Sequence, residues 1–309
     1  MNFIVFPGQG SQKIGMGRDL SDNFVEAREV FEEVSESLSF DLTKIMWGDN
    51  EKDLSLTSNA QPALMACGIA SFRVLSKLTG KKLPDLANFV CGHSLGEYTA
   101  MTVAEVFSLQ ECSKLLRLRG DAMQKAVPVG KGAMAAFIGT DIKTVVKILE
   151  KVQSYGICDI ANDNSDVQVV ISGDLDAVEN AISLSKEYGI KRAIVLPVSA
   201  PFHCRLMQPA QSIMEEALNN LGFQKPLVPI VSNINAQSET DPIKLKENLI
   251  NQVTGTVKWR ETMLLANELG VKKITELGSG KVLTGIAKRM IENVNTLNIE
   301  NSADLENIT

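Results

Sequence analysis

Histidine is nearly absent from this chain: its 309 residues include only two, His93 and His203. Cysteine is scarce as well, and the five copies, at 67, 91, 112, 158 and 204, form no C-x-x-C pair. The two shortages argue against a zinc or other metal site and point to reduced thiols in a cytoplasmic protein. No apolar run reaches membrane-spanning length, and the longest, 63–75, is interrupted by Arg73. No basic segment precedes an apolar one at the start, so no secretory leader is expected. A basic excess is lacking too. Thirty-one Lys and Arg against 37 Asp and Glu leave a net charge of −6, which argues against a general nucleic-acid role. Part of that excess lies in 291–309, which has four acids, no base and several asparagines and reads as a frayed acidic tail.

What is present is an ordinary globular composition, 44% hydrophobic and 22% charged, in a chain long enough for one large domain or two smaller ones. Strand-like runs occur at Phe3–Phe6 and Ala87–Cys91, and helix-like ones at Asn23–Leu38, Asn59–Leu78, Leu95–Val106 and Leu109–Val127. Asn59 reads as an N-cap, with Pro62 in the first turn. The texture changes near Pro128. Strand Ala133–Ile138, helix Asp141–Gln153, strands Ile157–Ala161 and Val167–Ile171, helix Asp174–Tyr188 and strand Arg192–Leu196 follow in order. Asn162–Ser165 reads as the turn between the middle strands. This β-α-β-β-α-β order is ferredoxin-like. Afterwards come Leu206–Leu221, Val228–Ser232, Ile243–Gln252, Trp259–Leu269, Lys273–Leu277 and Val282–Ile291. The expected architecture is α/β: a large domain with a parallel sheet, 1–127 and 199–290, interrupted by a small domain at 128–198.

The Gly-rich stretch Phe6–Gly17, FPGQGSQKIGMG, resembles a phosphate loop but fits neither pattern. Lys13 stands where the dinucleotide fingerprint needs its third glycine. Met16 and Gly17 stand where a P-loop needs lysine and a hydroxyl. A stronger signal is Gly92-His93-Ser94-Leu95-Gly96, after a strand and at the head of a helix. That is the context of a nucleophile elbow, in which a strained turn presents serine at a helix N-terminus. Serine needs a base. His93 adjoins Ser94 and diverges from it, so by elimination His203 is the candidate. Asp159, Asp163, Asp166 and Asp174 lie between Ser94 and His203 in the chain, but none stands out as the group that orients the imidazole, and a backbone carbonyl is an equal alternative. Arg117 and Arg119 follow on the next helix. Most helix arginines are solvated, while a buried one grips carboxylates bidentately.

Several separate stretches in order resemble the malonyl-CoA:acyl carrier protein transacylase family, the acyltransferases of fatty acid synthesis. They are FPGQGSQ (Phe6–Gln12), QPAL (Gln61–Leu64), GHSLGEY (Gly92–Tyr98), Arg119-Gly120 with Met123-Gln124, GAMAA (Gly132–Ala136), NSDVQVVISG (Asn164–Gly173), FHCRLM (Phe202–Met207), Asn251-Gln252 and ELGSG (Glu276–Gly280). The resemblance implies a hydrolase-like α/β domain with a ferredoxin-like insert. Residue by residue it implies Ser94 as the acylated nucleophile, His203 as its base, and a backbone carbonyl near Gln252 to orient that histidine. It further implies an oxyanion hole from the backbone N–H groups of Gln9 and Leu95, Arg119 on the malonyl carboxylate, and Gln61, Met123, Asn162 and Phe202 around the substrate. Phe202 resembles the bulky residue of malonyl-selective members, whereas Pro201 departs from the commonest pattern. The implied partners are malonyl-CoA and an acidic acyl carrier protein bearing phosphopantetheine, with no permanently bound cofactor and a monomeric chain. Lys191-Arg192, Lys272-Lys273, Lys281 and Lys288-Arg289 are the candidate carrier-docking cations. A serine hydrolase or thioesterase, a polyketide carrier as acceptor, and a non-catalytic module of the same fold are the competing expectations.

Overall fold

The computed structural model describes residues 1–306. Its larger sheet has six strands: β1 (Asn2–Phe6), β2 (Phe89–Gly92), β7 (Ile230–Val231), β8 (Ser238–Glu239), β9 (Lys273–Leu277) and β10 (Asn295–Ile299), in the order β10-β9-β1-β2-β7-β8. The pairs β10–β9, β9–β1, β1–β2 and β2–β7 are parallel, and only β8 runs against its neighbour. The strands read as apolar runs because both faces are covered. Along β1 the side chains alternate. Ile4 and Phe6 join the core beneath helices Thr57–Thr79, Leu95–Val103 and Leu109–Ala126, while Phe3 and Val5 pack with Trp259, Met263 and Ile286 on the other face.

The second sheet has four antiparallel strands: β3 (Gly132–Ile138), β4 (Cys158–Ser165), β5 (Gln168–Asp174) and β6 (Arg192–Val195), ordered β4-β5-β3-β6. Helices Ile142–Val152 and Leu175–Ser185 bury Val145, Ile148, Val178 and Ala181 against Ala135, Phe137, Val169 and Ile171. The element order along this stretch is the β-α-β-β-α-β read from the periodicity.

Three local expectations change. The polar run Asn162–Ser165 is strand rather than turn. Register shifts at Ile160/Asn162 and Asp163/Ser165 accommodate it, and main-chain bonds between 161–163 and Val257 tie it to the chain after helix Pro242–Gln252. The helix expected from Asn59 begins at Thr57, so Asn59 is not its cap. Pro62 therefore lies inside the helix and leaves the Ser58 carbonyl without its usual N–H donor. Arg117 Nη1 donates to that oxygen at 3.2 Å. Finally, 291–306 is no frayed tail. β10 pairs along its five residues with β9 and buries Ile299, so the large sheet continues past Met290. Asn307, Ile308 and Thr309, the end of that expected tail, lie outside the described residues. Among the described residues no helix is long and apolar enough to cross a membrane, and no cluster of three or more His, Cys, Asp or Glu could hold a metal.

Candidate active site

β1 and β2 run parallel, with Phe6 opposite Gly92, so the Gly-rich loop and the elbow leave the sheet side by side at its carboxyl edge. The elbow is tight. Ser94 adopts φ 54°, a strained value for a residue with a side chain. A Cβ on Gly92 would lie 2.0 Å from the Gly96 backbone, and one on Gly96 would lie 2.3 Å from Phe6 O, so strand and helix can pass only if both are glycine. Gly8 plays the same part in the loop, where a Cβ would meet His93 O at 2.8 Å.

Ser94 Oγ lies 2.7 Å from His203 Nε2, and His203 Nδ1 lies 2.9 Å from the Gln252 carbonyl. The group facing Nδ1 is a main-chain oxygen rather than an aspartate. The four aspartates are engaged elsewhere. Asp159 grips Arg205, Asp163 and Asp166 face Arg260, and Asp174 accepts from Ile157 N–H. His93 turns away from Oγ, with Nε2 2.9 Å from Asn164 Oδ1 and its ring tilted against Trp259. Arg119 is 1% exposed, so the solvated alternative fails for it. Its Nη2 donates to Ser94 Oγ at 3.1 Å and to Gln252 Oε1 at 2.9 Å, and its Nη1 donates to Gln61 Oε1 at 2.9 Å. Arg117 points instead to Ser58 and Asn59. The cleft above, about 220 Å³, is lined by Gln9, Gln61, Ser94, Leu95, Arg119, Met123, Asn162, Phe202 and His203. Among the described residues, the N–H groups of Gln9 and Leu95 have no protein acceptor. That of Ser94 donates to Asn233 Oδ1 at 2.7 Å.

The Acyl transferase domain model matches residues 3–303. The chain belongs to the acyl transferase family. Among relatives of this acyltransferase, a malonyl CoA-acyl carrier protein transacylase of Bacillus subtilis is 39% identical, over 98% of this chain and 94% of the relative. The crystal structure of an acyl-carrier-protein-S-malonyltransferase from Bartonella henselae superposes with a TM-score of 0.96 at 48% identity, covering 99% of this chain and 97% of that one. A type II PKS acyl-carrier protein in complex with its malonyl-transacylase matches at TM-score 0.94 and 38% identity, covering 98% and 97%.

The acyltransferase's site sets a buried charge beside a buried imidazole. Burial, reinforced by the neighbouring Arg119 charge, holds the His203 imidazole down at about 3, against the pull of the Gln252 carbonyl. It is therefore neutral at physiological pH, with Nε2 free to take a proton when the Gln252 carbonyl accepts from Nδ1. Two residues of the site escaped the sequence reading. Glu97 is fully buried one helical turn after Ser94, and burial pushes its carboxyl up to about 7. A carboxylate between Gly96 and Tyr98 on an otherwise uncharged helix was the available signal. Asn233 donates to Gly92 O, and no local pattern marked it.

Proposed function

We propose that this acyltransferase moves a malonyl group from malonyl-CoA to the phosphopantetheine thiol of an acyl carrier protein through an ester on Ser94. One observation carries the reading. A single serine oxygen sits 2.7 Å from a neutral, oriented imidazole and 3.1 Å from a buried guanidinium that no carboxylate pairs with directly among the described residues. In the first half-reaction Ser94 Oγ attacks the thioester carbon and its proton passes to His203 Nε2. The oxyanion gathers on the carbonyl oxygen within reach of the Gln9 and Leu95 N–H groups, and the C–S bond breaks as the thiolate of CoA takes the proton from His203. The carrier thiol then repeats the sequence in reverse, restoring Ser94. A malonyl group on Oγ carries its carboxylate two bonds beyond the acyl carbon, where Arg119 replaces its bond to Oγ with an ion pair. Gln61 and Gln252 hold that guanidinium on its far sides. Met123, Asn162 and Phe202 bound the acyl chain, Phe202 crowding an α-branch.

No resident cofactor enters this scheme, since the partner brings its own thiol. The reading takes the enzyme to be a monomer of the cytoplasm. The two sheets are read as a hydrolase-like domain, 1–127 with 199–299, and a ferredoxin-like one at 128–198. Strand order, parallel against antiparallel pairing and separate cores support that division. Among the basic candidates, exposed Lys281 follows Gly280, beside Ser11 of the Gly-rich loop, at the cleft edge of β9. Lys272 and Lys273 stand at the other end of that parallel strand. Lys281 is therefore the favoured carrier contact. The test is labelled malonyl-CoA with and without holo carrier protein. A Ser94 ester that persists alone and empties onto the carrier supports transfer. An ester lost rapidly to water supports a hydrolase, and transfer by a Ser94→Ala variant refutes the covalent route.

A further inference from the structure

The Gln252 side chain is the junction of this site. Its Oε1 accepts from Arg119, its Nε2 donates to the Ser94 carbonyl at 3.0 Å and to Glu97 Oε2 at 2.7 Å, and its own carbonyl holds His203. A carboxamide can sit in two orientations that differ only in which end donates. If Gln252 were flipped, its NH2 would face the donors of Arg119 and its oxygen would face two acceptors. Of the two acceptors at the donating end, the side chain is Glu97. It is a pure acceptor when ionised, is fully buried, and is fixed from behind by Asn233 N–H at 3.1 Å on the same oxygen. Asn233 in turn clamps the elbow through Ser94 N–H and Gly92 O.

We infer that Glu97 is a positioning residue for acyl transfer. It locks the Gln252 carboxamide, and through it sets Arg119 and the strained Ser94 turn in register with His203. The inference rests on the acyl-transfer reading above. Glu97 touches neither Ser94 Oγ nor the imidazole; of its two partners, Gln252 and Asn233, its effect is assigned to Gln252. Its other oxygen has no partner among the described residues, so an amide in its place can keep the accepting oxygen towards Gln252 and Asn233, losing the charge and turning its NH2 to that unpartnered side.

The experiment is a single-turnover measurement of Ser94 malonylation by malonyl-CoA and of acetylation by acetyl-CoA, with thermal midpoints for each variant. Wild-type enzyme comes first. If it forms no Ser94 ester, the acyl-transfer reading fails, whatever Glu97 does. If it does, Glu97→Met, which fills the space without an acceptor, should slow malonylation about tenfold to a hundredfold and lower the preference for malonyl over acetyl. Glu97→Gln should stay within a few-fold of wild type. Gln252→Ala should absorb the effect, so that adding Glu97→Met to it costs nothing further. The inference is overturned if Glu97→Met matches wild type, if the two losses multiply, or if Glu97→Gln falls as far as Glu97→Met. Should Glu97→Met not fold, Glu97→Ala replaces it in the same cycle, and the Glu97→Gln comparison still decides.

Discussion

His203 and Arg119 depend on burial as much as on identity. The Arg119 cation lies under the cleft with amide oxygens and Ser94 Oγ as its partners, a poor environment for a lone charge. On the proposed reading a malonyl carboxylate repairs that deficit and an acetyl methyl does not. Arg119→Ala should therefore cut the malonyl-over-acetyl preference by about a hundredfold, measured as the ratio of kcat/KM values; an unchanged ratio removes the arginine from specificity. His203 makes a prediction in pH. Its folded pKa, about 3, lies below the ordinary 6.5, so the unfolded chain binds a proton that the folded site refuses as pH falls through that window. Stability should consequently decline from pH 6.5 towards 3. His203→Ala should flatten part of that decline in urea midpoints taken at pH 7 and pH 5. The rate of Ser94 acylation should show no histidine titration near 6.5. At Gln9 the proposed working group is the main-chain N–H, while the side chain merely reaches Thr57 Oγ1 at 3.3 Å. Gln9→Ala should keep most of the activity.

Elements matter here through how closely they can pass. The helix Leu95–Val103 lies on β1 only because Gly92 and Gly96 present no Cβ, so Gly96→Ala must push the helix away from Phe6 O. It should cost about 1–3 kcal/mol in chemical denaturation and slow serine acylation as well. Asp141 caps helix Ile142–Val152 by accepting from Thr144 N–H at 2.8 Å and is well away from the cleft. Asp141→Ala should cost about 1 kcal/mol and leave transfer unchanged. Elsewhere a missing bond is made good from a distance, as where Arg117 serves the carbonyl that Pro62 cannot.

At the scale of the whole molecule, the site exists because two sheets with different pairing meet over it. The parallel sheet delivers Gln9 and Ser94, and the helix Leu109–Ala126 delivers Arg119. The four-stranded sheet supplies Asn162 and Met134, and the segment leaving β6 brings Leu196, Val198, Phe202 and His203. β10 closes one edge of the large sheet, so truncation after Met290 uncovers β9 and should lower the thermal midpoint sharply. A midpoint equal to that of the full chain would count against a structural role for the last strand. Carrier docking also belongs to this scale. Lys281→Glu should raise the KM for an acidic carrier, more at low salt than at high, with little change in the rate of Ser94 malonylation.

The alternation of apolar residues, the elbow motif and the near absence of histidine determined much of this protein from the sequence alone: an α/β chain, a serine on an elbow and one histidine free to face it. These properties are local or subtractive, resting on the backbone period, on a turn only glycine permits, and on a count of two histidines. What the tertiary structure decided depends on residues far apart in the chain. That a carbonyl at 252 rather than an aspartate orients His203, that Arg119 is buried while Arg117 reaches for a helix carbonyl, that Asn162 lies in a strand, and that the acidic end forms β10 are all outcomes of packing between segments. Glu97 belongs to the same group, because a carboxylate becomes an anchor only when folding buries it against Gln252 and Asn233, more than a hundred residues away.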